Sequence, residues 1–174
     1  MNYILPYLCL LFSLPVLGAL AVIDLKTRLL PNRLVLTFAL LGLAFQINTE
    51  FAFVSPQDML LGLLAGGGLL YIVRLIANHH YKTDTLGLGD VKLMSAGGLW
   101  LGLDHILLAT TLGALIGALH GLGHAYILRK QTQRPVDLKS FAVPAGPGFI
   151  MGLALIGIFK FQTLPELSPL LNVN

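Results

Sequence analysis

The sequence predicts an all-α, polytopic integral membrane protein with about six transmembrane helices, and three observations carry that prediction. The 174 residues are 56% hydrophobic and 11% charged, about half the charge of a soluble domain. The mean hydropathy is +0.81. The apolar residues fall in long runs parted by short polar loops, the pattern of a chain that crosses a bilayer repeatedly. The length suits one domain, taken as residues 1–174, and the 19 glycines allow close helix packing in lipid.

The apolar runs are 4–23, 34–47, 59–77, 91–103, 106–128 and 143–161. The first has no Lys or Arg before Lys26, so it lacks the basic start of a secretory signal despite the small residues Ala19-Leu20-Ala21. It is read as a retained helix. The second run is short and can be extended past Gln46 toward Val54. The fourth is also short, which asks for little tilt or a locally thinner bilayer. Glycines recur every fourth residue at Gly113, Gly117 and Gly121, at Gly148 and Gly152, and at Gly62 and Gly66. These stripes are read as packing faces.

Basic residues set the orientation. Lys26, Arg28 and Arg33 lie in the first loop; Lys82, flanked by Arg74 and Lys92, in the third; Arg129, Lys130, Arg134 and Lys139 in the fifth. The opposite side has Lys160 with Glu50, Asp58, Asp104 and Glu166. The bias puts the odd loops in the cytoplasm and both termini outside. The formal charge of +3 is explained by orientation, with anionic lipid beside the basic loops, and not by nucleic-acid binding.

This topology gives meaning to residues 85–92, Thr-Leu-Gly-Leu-Gly-Asp-Val-Lys. Asp90 begins the fourth apolar run there, where a helix N-cap would be its structural role. Asp24 ends the first run, where its charge opposes the helix dipole; pairing with Lys26 or Arg28 is its structural alternative. Both ends face the cytoplasm, so two acids distant in sequence lie at one depth. Paired carboxylates suit general acid–base hydrolysis: one accepts a proton from water while the other, protonated, donates to the carbonyl oxygen. The helix ends favour charge on Asp90 over Asp24, making Asp90 the expected resting base. No metal or cofactor is called for, and neither a Gly-x-Ser-x-Gly nor a His-Glu-x-x-His motif occurs.

Three blocks resemble a known family. Residues 21–34 read AVIDLKTRLLPNRL, residues 87–102 read GLGDVKLMSAGGLWLG, and residues 144–147 read PAGP at the start of the last apolar run. The chain resembles the type IV prepilin peptidases, membrane aspartic peptidases of the Gly-x-Gly-Asp class, over nearly its whole length. The resemblance implies Asp24 and Asp90 as the catalytic pair, with Gly87, Gly89 and Lys92 as supporting motif residues. It also implies prepilin or pseudopilin precursors as substrates, cleaved at basic leaders on the cytoplasmic side, and residence in the bacterial inner membrane. Bifunctional members also methylate the new N-terminus and carry paired Cys-x-x-Cys zinc motifs. This sequence has one cysteine, Cys9, so the short form without N-methylation is expected.

Other polar residues have plainer roles. His120 and His124 share a helix face and suit interhelical hydrogen bonding better than metal binding. His79-His80 is read as loop, Asp84 as a turn acid, and Trp100 and Cys9 as packing residues. The rival function is a small transporter subunit that moves protons or cations on its intramembrane acids.

Overall fold

The computed structural model describes residues 4–82, 84, 86–132 and 145–162. Arg134, Lys139, Pro144 and Glu166 of the sequence reading lie outside the described residues. Five helices follow in order: α1 (Ile4–Thr27), α2 (Asn32–Asn48), α3 (Pro56–Tyr81), α4 (Leu88–Thr132) and α5 (Gly146–Phe161). Ile4–Thr27, Pro56–Tyr81 and Leu88–Ile127 are each long and apolar enough to cross a membrane, while α2 and α5 are shorter apolar helices.

The helix ends follow local chemistry. The first helix stops where Arg28 turns left-handed at φ 56 while its N–H still bonds the Asp24 carbonyl. Pro31 then opens α2 with the fixed φ that suits a helix entry. Ser55 caps α3 by accepting from the Asp58 N–H at 3.2 Å, and Pro56 follows at the first turn, where no internal N–H partner is lost. At the other end Lys82 adopts the left-handed conformation and returns its N–H to Asn78.

The fourth helix is broken. Gly102 has φ 70 and ψ −175, a conformation essentially reserved for glycine. The chain folds back there: a Cβ placed on Gly66 of α3 would meet both the Met94 carbonyl and Ile106 Cγ1. A straight helix would hold those two residues about 18 Å apart along its axis. The break falls at the end of the expected fourth run, so the runs 91–103 and 106–128 are the two halves of α4.

Glycine stripes form the helix seams, as the sequence suggests. Gly62 abuts Gly98 and Gly102, and Gly148 and Gly152 abut Gly113 and Gly117. The buried centre holds Phe38, Phe45, Trp100 and Phe161, with Phe38 and Phe45 rings each 5.5 Å from the Trp100 ring. Large apolar side chains such as Leu11, Leu40, Leu64, Leu108 and Phe159 point outward, whereas Ser13, Asp24, Gln46, Asp90 and Thr110 are buried. Apolar outside and polar inside is the arrangement lipid favours.

Three expectations are corrected. The second helix ends at Asn48, because Glu50 and Phe51 turn to positive φ, and does not run on to Val54. His79 and His80 form the last turn of α3 rather than a loop. Asp90 lies in the first turn of α4, two residues inside its start, and is not a cap.

Candidate functional site

The two acids singled out by the sequence meet at one end of the bundle. Asp24 is 5% exposed and Asp90 6%, so neither is a solvated surface charge. Gly146, in the first turn of α5, sits between them. A Cβ at that position would lie 2.5 Å from Asp24 Oδ2 and 3.3 Å from Asp90 Oδ1. Both oxygens therefore approach one point, and their separation is at most the sum of those distances, about 5.8 Å. Among the described residues these same two oxygens are buried without a hydrogen-bond partner. Buried polar atoms left in that state are uncommon and call for an explanation.

Each acid is set by its local chain. Asp24 lies one turn before the end of α1, and the backbone N–H of Gly146 faces its carboxyl. Asp90 bonds back through its N–H to the Gly87 carbonyl at 3.2 Å. A side chain on Gly87 would come within 3.2 Å of Asp90 Oδ2. Gly89 passes so close to Leu30 that a Cβ would meet the leucine at 2.8 Å. The turn between Gly87 and Asp90 thus fits under the α1–α2 connection only because Gly89 has no side chain.

Lys92 reaches across to α2 and donates to Asn32 Oδ1 at 3.0 Å. The loop before the turn is tethered from α3. Arg74 donates to the Leu86 carbonyl and pairs with Asp84 at 2.7 Å, and Asn78 donates to the same Asp84 oxygen at 2.9 Å. Asp84 is thereby a structural acid of the loop, as a turn residue should be. Among the described residues neither Lys26 nor Arg28 makes an ion-pair contact within 4.0 Å of Asp24, and the charge of Arg28 acts on it from farther away.

The remaining candidates lie apart from this site. His120 and His124 stack with ring centroids 6.5 Å apart on an exposed face of α4. Among the described residues no group of three or more His, Cys, Asp or Glu could hold a metal ion. Cys9 is a buried free thiol. An apolar cavity of about 390 Å³ lies between α1, α4 and α5, lined by Leu10, Leu14, Trp100, Leu153 and Phe161 among others, and neither acid borders it.

Sequence reasoning missed Gly146 as the residue seated between the acids. It also missed the tie from Lys92 to Asn32, although both residues stand in the blocks that carry the resemblance.

An all-helical apolar bundle with two buried carboxylates converging at one end defines the class. Comparison with known proteins supplies the family. Residues 11–122 match the type IV leader peptidase family. A prepilin leader peptidase/N-methyltransferase of Escherichia coli (strain K12) is 34% identical over 136 residues, 76% of this chain and 55% of that protein. Its counterpart in Pectobacterium carotovorum subsp. carotovorum is 34% identical over 151 residues, 84% of this chain and 51% of that protein. That of Aeromonas hydrophila is 33% identical over 131 residues, 75% of this chain and 44% of that protein. No solved structure matches. The chain belongs to the type IV leader peptidase family, and it spans about half the length of the curated relatives it matches.

Proposed function

We propose that the protein is an aspartic endopeptidase of the bacterial inner membrane that removes leader peptides from prepilin-like or pseudopilin precursors, with Asp24 and Asp90 as its catalytic pair. The observation that carries this reading is the convergence of two buried, unpartnered carboxylate oxygens on the space beside Gly146. Their separation is at most about 5.8 Å, and one water bonds both oxygens once they stand about 4.5 Å apart, with two hydrogen bonds of about 2.8 Å each.

In this mechanism one carboxylate removes a proton from the bridging water as that water attacks the scissile carbonyl. The other, protonated, donates to the carbonyl oxygen and so stabilises the charge that develops there. The proton taken from water then passes to the leaving amine as the carbon–nitrogen bond breaks, and the hydroxyl made from the carbonyl oxygen returns its proton to the carboxylate that gave it. Two close carboxylates resist double ionisation, so the pair holds one proton between them at rest. Because each contributes one unpartnered oxygen, the proton is assigned to the pair rather than to Asp24 alone. The missing side chains at Gly87 and Gly146 let the two carboxyls lie directly against the backbone.

In the membrane, the two halves of α4 with the other four helices make about six crossings as one domain. Asp24 and Asp90 then lie at the cytoplasmic face, both termini lie outside, and the basic loops rest on anionic lipid. With a single cysteine, these residues are proposed to cleave without N-methylation. The test is to mix the purified chain in lipid nanodiscs with a prepilin-type precursor and weigh the products. A single cut at the leader junction and an unmethylated N-terminus support the proposal; an intact precursor refutes it.

A further inference from the structure

The break at Gly102 leaves backbone groups that no helix satisfies internally. The Trp100 and Leu101 carbonyls end one half of α4, and the Leu103 N–H begins the other. In an apolar bundle such groups need partners from elsewhere. Three helices each supply one. Gln46 Nε2 of α2 donates to the Trp100 carbonyl at 3.0 Å. Lys160 Nζ of α5 donates to the Leu101 carbonyl at 2.7 Å. Asp58 Oδ1 of α3 accepts the Leu103 N–H at 3.0 Å.

We propose that Lys160 is a positioning residue: its bond to Leu101 fixes the register of α5 against α4, and with it the place of Gly146 between Asp24 and Asp90. The proposal rests on the reading of those two acids as the reacting pair, and three features carry it.

The first is connectivity. The α1 backbone packs on α2 and α5, whereas that of α4 packs on α2, α3 and α5; among the described residues no Cα of α1 comes within 8 Å of a Cα of α4. Asp24 is therefore held to Asp90 through intermediaries. α2 is pinned to α4 at both ends, by Lys92 to Asn32 and by Gln46 to Trp100. α5 is pinned by Lys160.

The second is the seam itself. α5 meets the second half of α4 through Gly148 and Gly152 against Gly113 and Gly117. Leu153 against Gly97 and Phe161 against Trp100 pack the rest of this contact. The Lys160 bond to Leu101 adds a directional contact at the far end of α5, where apolar packing alone tolerates small slips.

The third is leverage. Gly146 and Lys160 stand near opposite ends of one helix, about 21 Å apart along its axis. A helix moves as a rod over that length, so a slip at Lys160 arrives at Gly146. Misplacement of about 1 Å at a reacting site costs up to about a hundredfold in rate.

The test uses the full chain in nanodiscs and separates register from activity. For register, Cys9→Ser removes the native thiol, and Gly117→Cys with Ala145→Cys supplies a pair across the seam. A Cβ at 117 lies 4.0 Å from the Ala145 carbonyl oxygen, with no closer neighbour. A short bis-maleimide reads their proximity. Lys160→Met and Lys160→Gln are expected to slow cross-linking about fivefold or more, and Lys160→Arg to restore it. Should Lys160→Met fail to fold, Lys160→Gln, which keeps a shorter donor, carries the comparison.

For activity, the same Lys160 variants without the added cysteines are assayed on the prepilin-type precursor. The kcat of Lys160→Met is expected to fall about tenfold with KM nearly unchanged. Trp100, the single tryptophan, sits at the break and its emission should shift. Unchanged cross-linking in both Lys160→Met and Lys160→Gln overturns the proposal, as does a raised KM with unchanged kcat. If even the unmodified chain leaves the precursor intact, the peptidase reading fails, while cross-linking still decides the register.

Discussion

Lys92 Nζ donates to Asn32 Oδ1 at 3.0 Å, and that bond joins the helix bearing Asp90 to the segment that follows Asp24. The pair is exposed, so its worth to stability is modest, about 1 kcal/mol. Its larger effect should be on the site. Lys92→Met and Asn32→Ala are each expected to lower leader cleavage about tenfold, and the double variant to do no worse than either. A double-mutant cycle on kcat/KM checks this. Additive losses would mean that the two residues act separately.

Gly146→Ala should abolish most cleavage without unfolding the protein. The added methyl would stand 2.5 Å from Asp24 Oδ2, so the carboxyls must turn away from the space they share. A fall in kcat of about a hundredfold is expected, with the thermal midpoint in detergent little changed. An active Gly146→Ala enzyme would show that the acids need not meet there.

Gly102→Ala tests the break. Its φ of 70 with ψ −175 is a conformation that side chains rarely adopt, and the Asp58 carboxylate fills the space a methyl would take. A loss of about 3 kcal/mol or more is expected, read as a lowered midpoint in thermal unfolding. Gly68→Ala is the control, since nothing lies within 4 Å of the point a methyl would occupy there. It sits inside α3 and should be neutral or stabilising by up to about 1 kcal/mol.

How much of this was legible in the sequence depends on how far each signal reaches. Hydropathy located the helices, and the bias of Lys and Arg set Asp24 and Asp90 at one depth; the structure brings the two together. Gly146 escaped because its role exists only when a third helix inserts between two others. Gln46, Asp58 and Lys160 escaped for a similar reason. Each lies near the end of its own helix, and only the break at Gly102 gives them a common purpose. Gln46 and Lys160 did leave a signal, since a polar side chain inside an apolar run needs a partner. His79 and His80 were assigned to a loop on polarity alone, whereas α3 continues through them until Lys82 turns left-handed.

The central claim is that Asp24 and Asp90 act together as the reacting pair, and substitution of each by asparagine tests it most directly. The Asn side chain keeps the shape and removes the charge and the exchangeable proton. Cleavage of a prepilin-type precursor by Asp24→Asn and by Asp90→Asn, measured beside the thermal midpoint of each variant, should show loss of at least about a thousandfold in kcat in both. The midpoints should equal or exceed that of the parent, because each change removes a buried carboxylate that lacks a full set of partners. Cleavage at the parent rate by either folded variant would contradict the account.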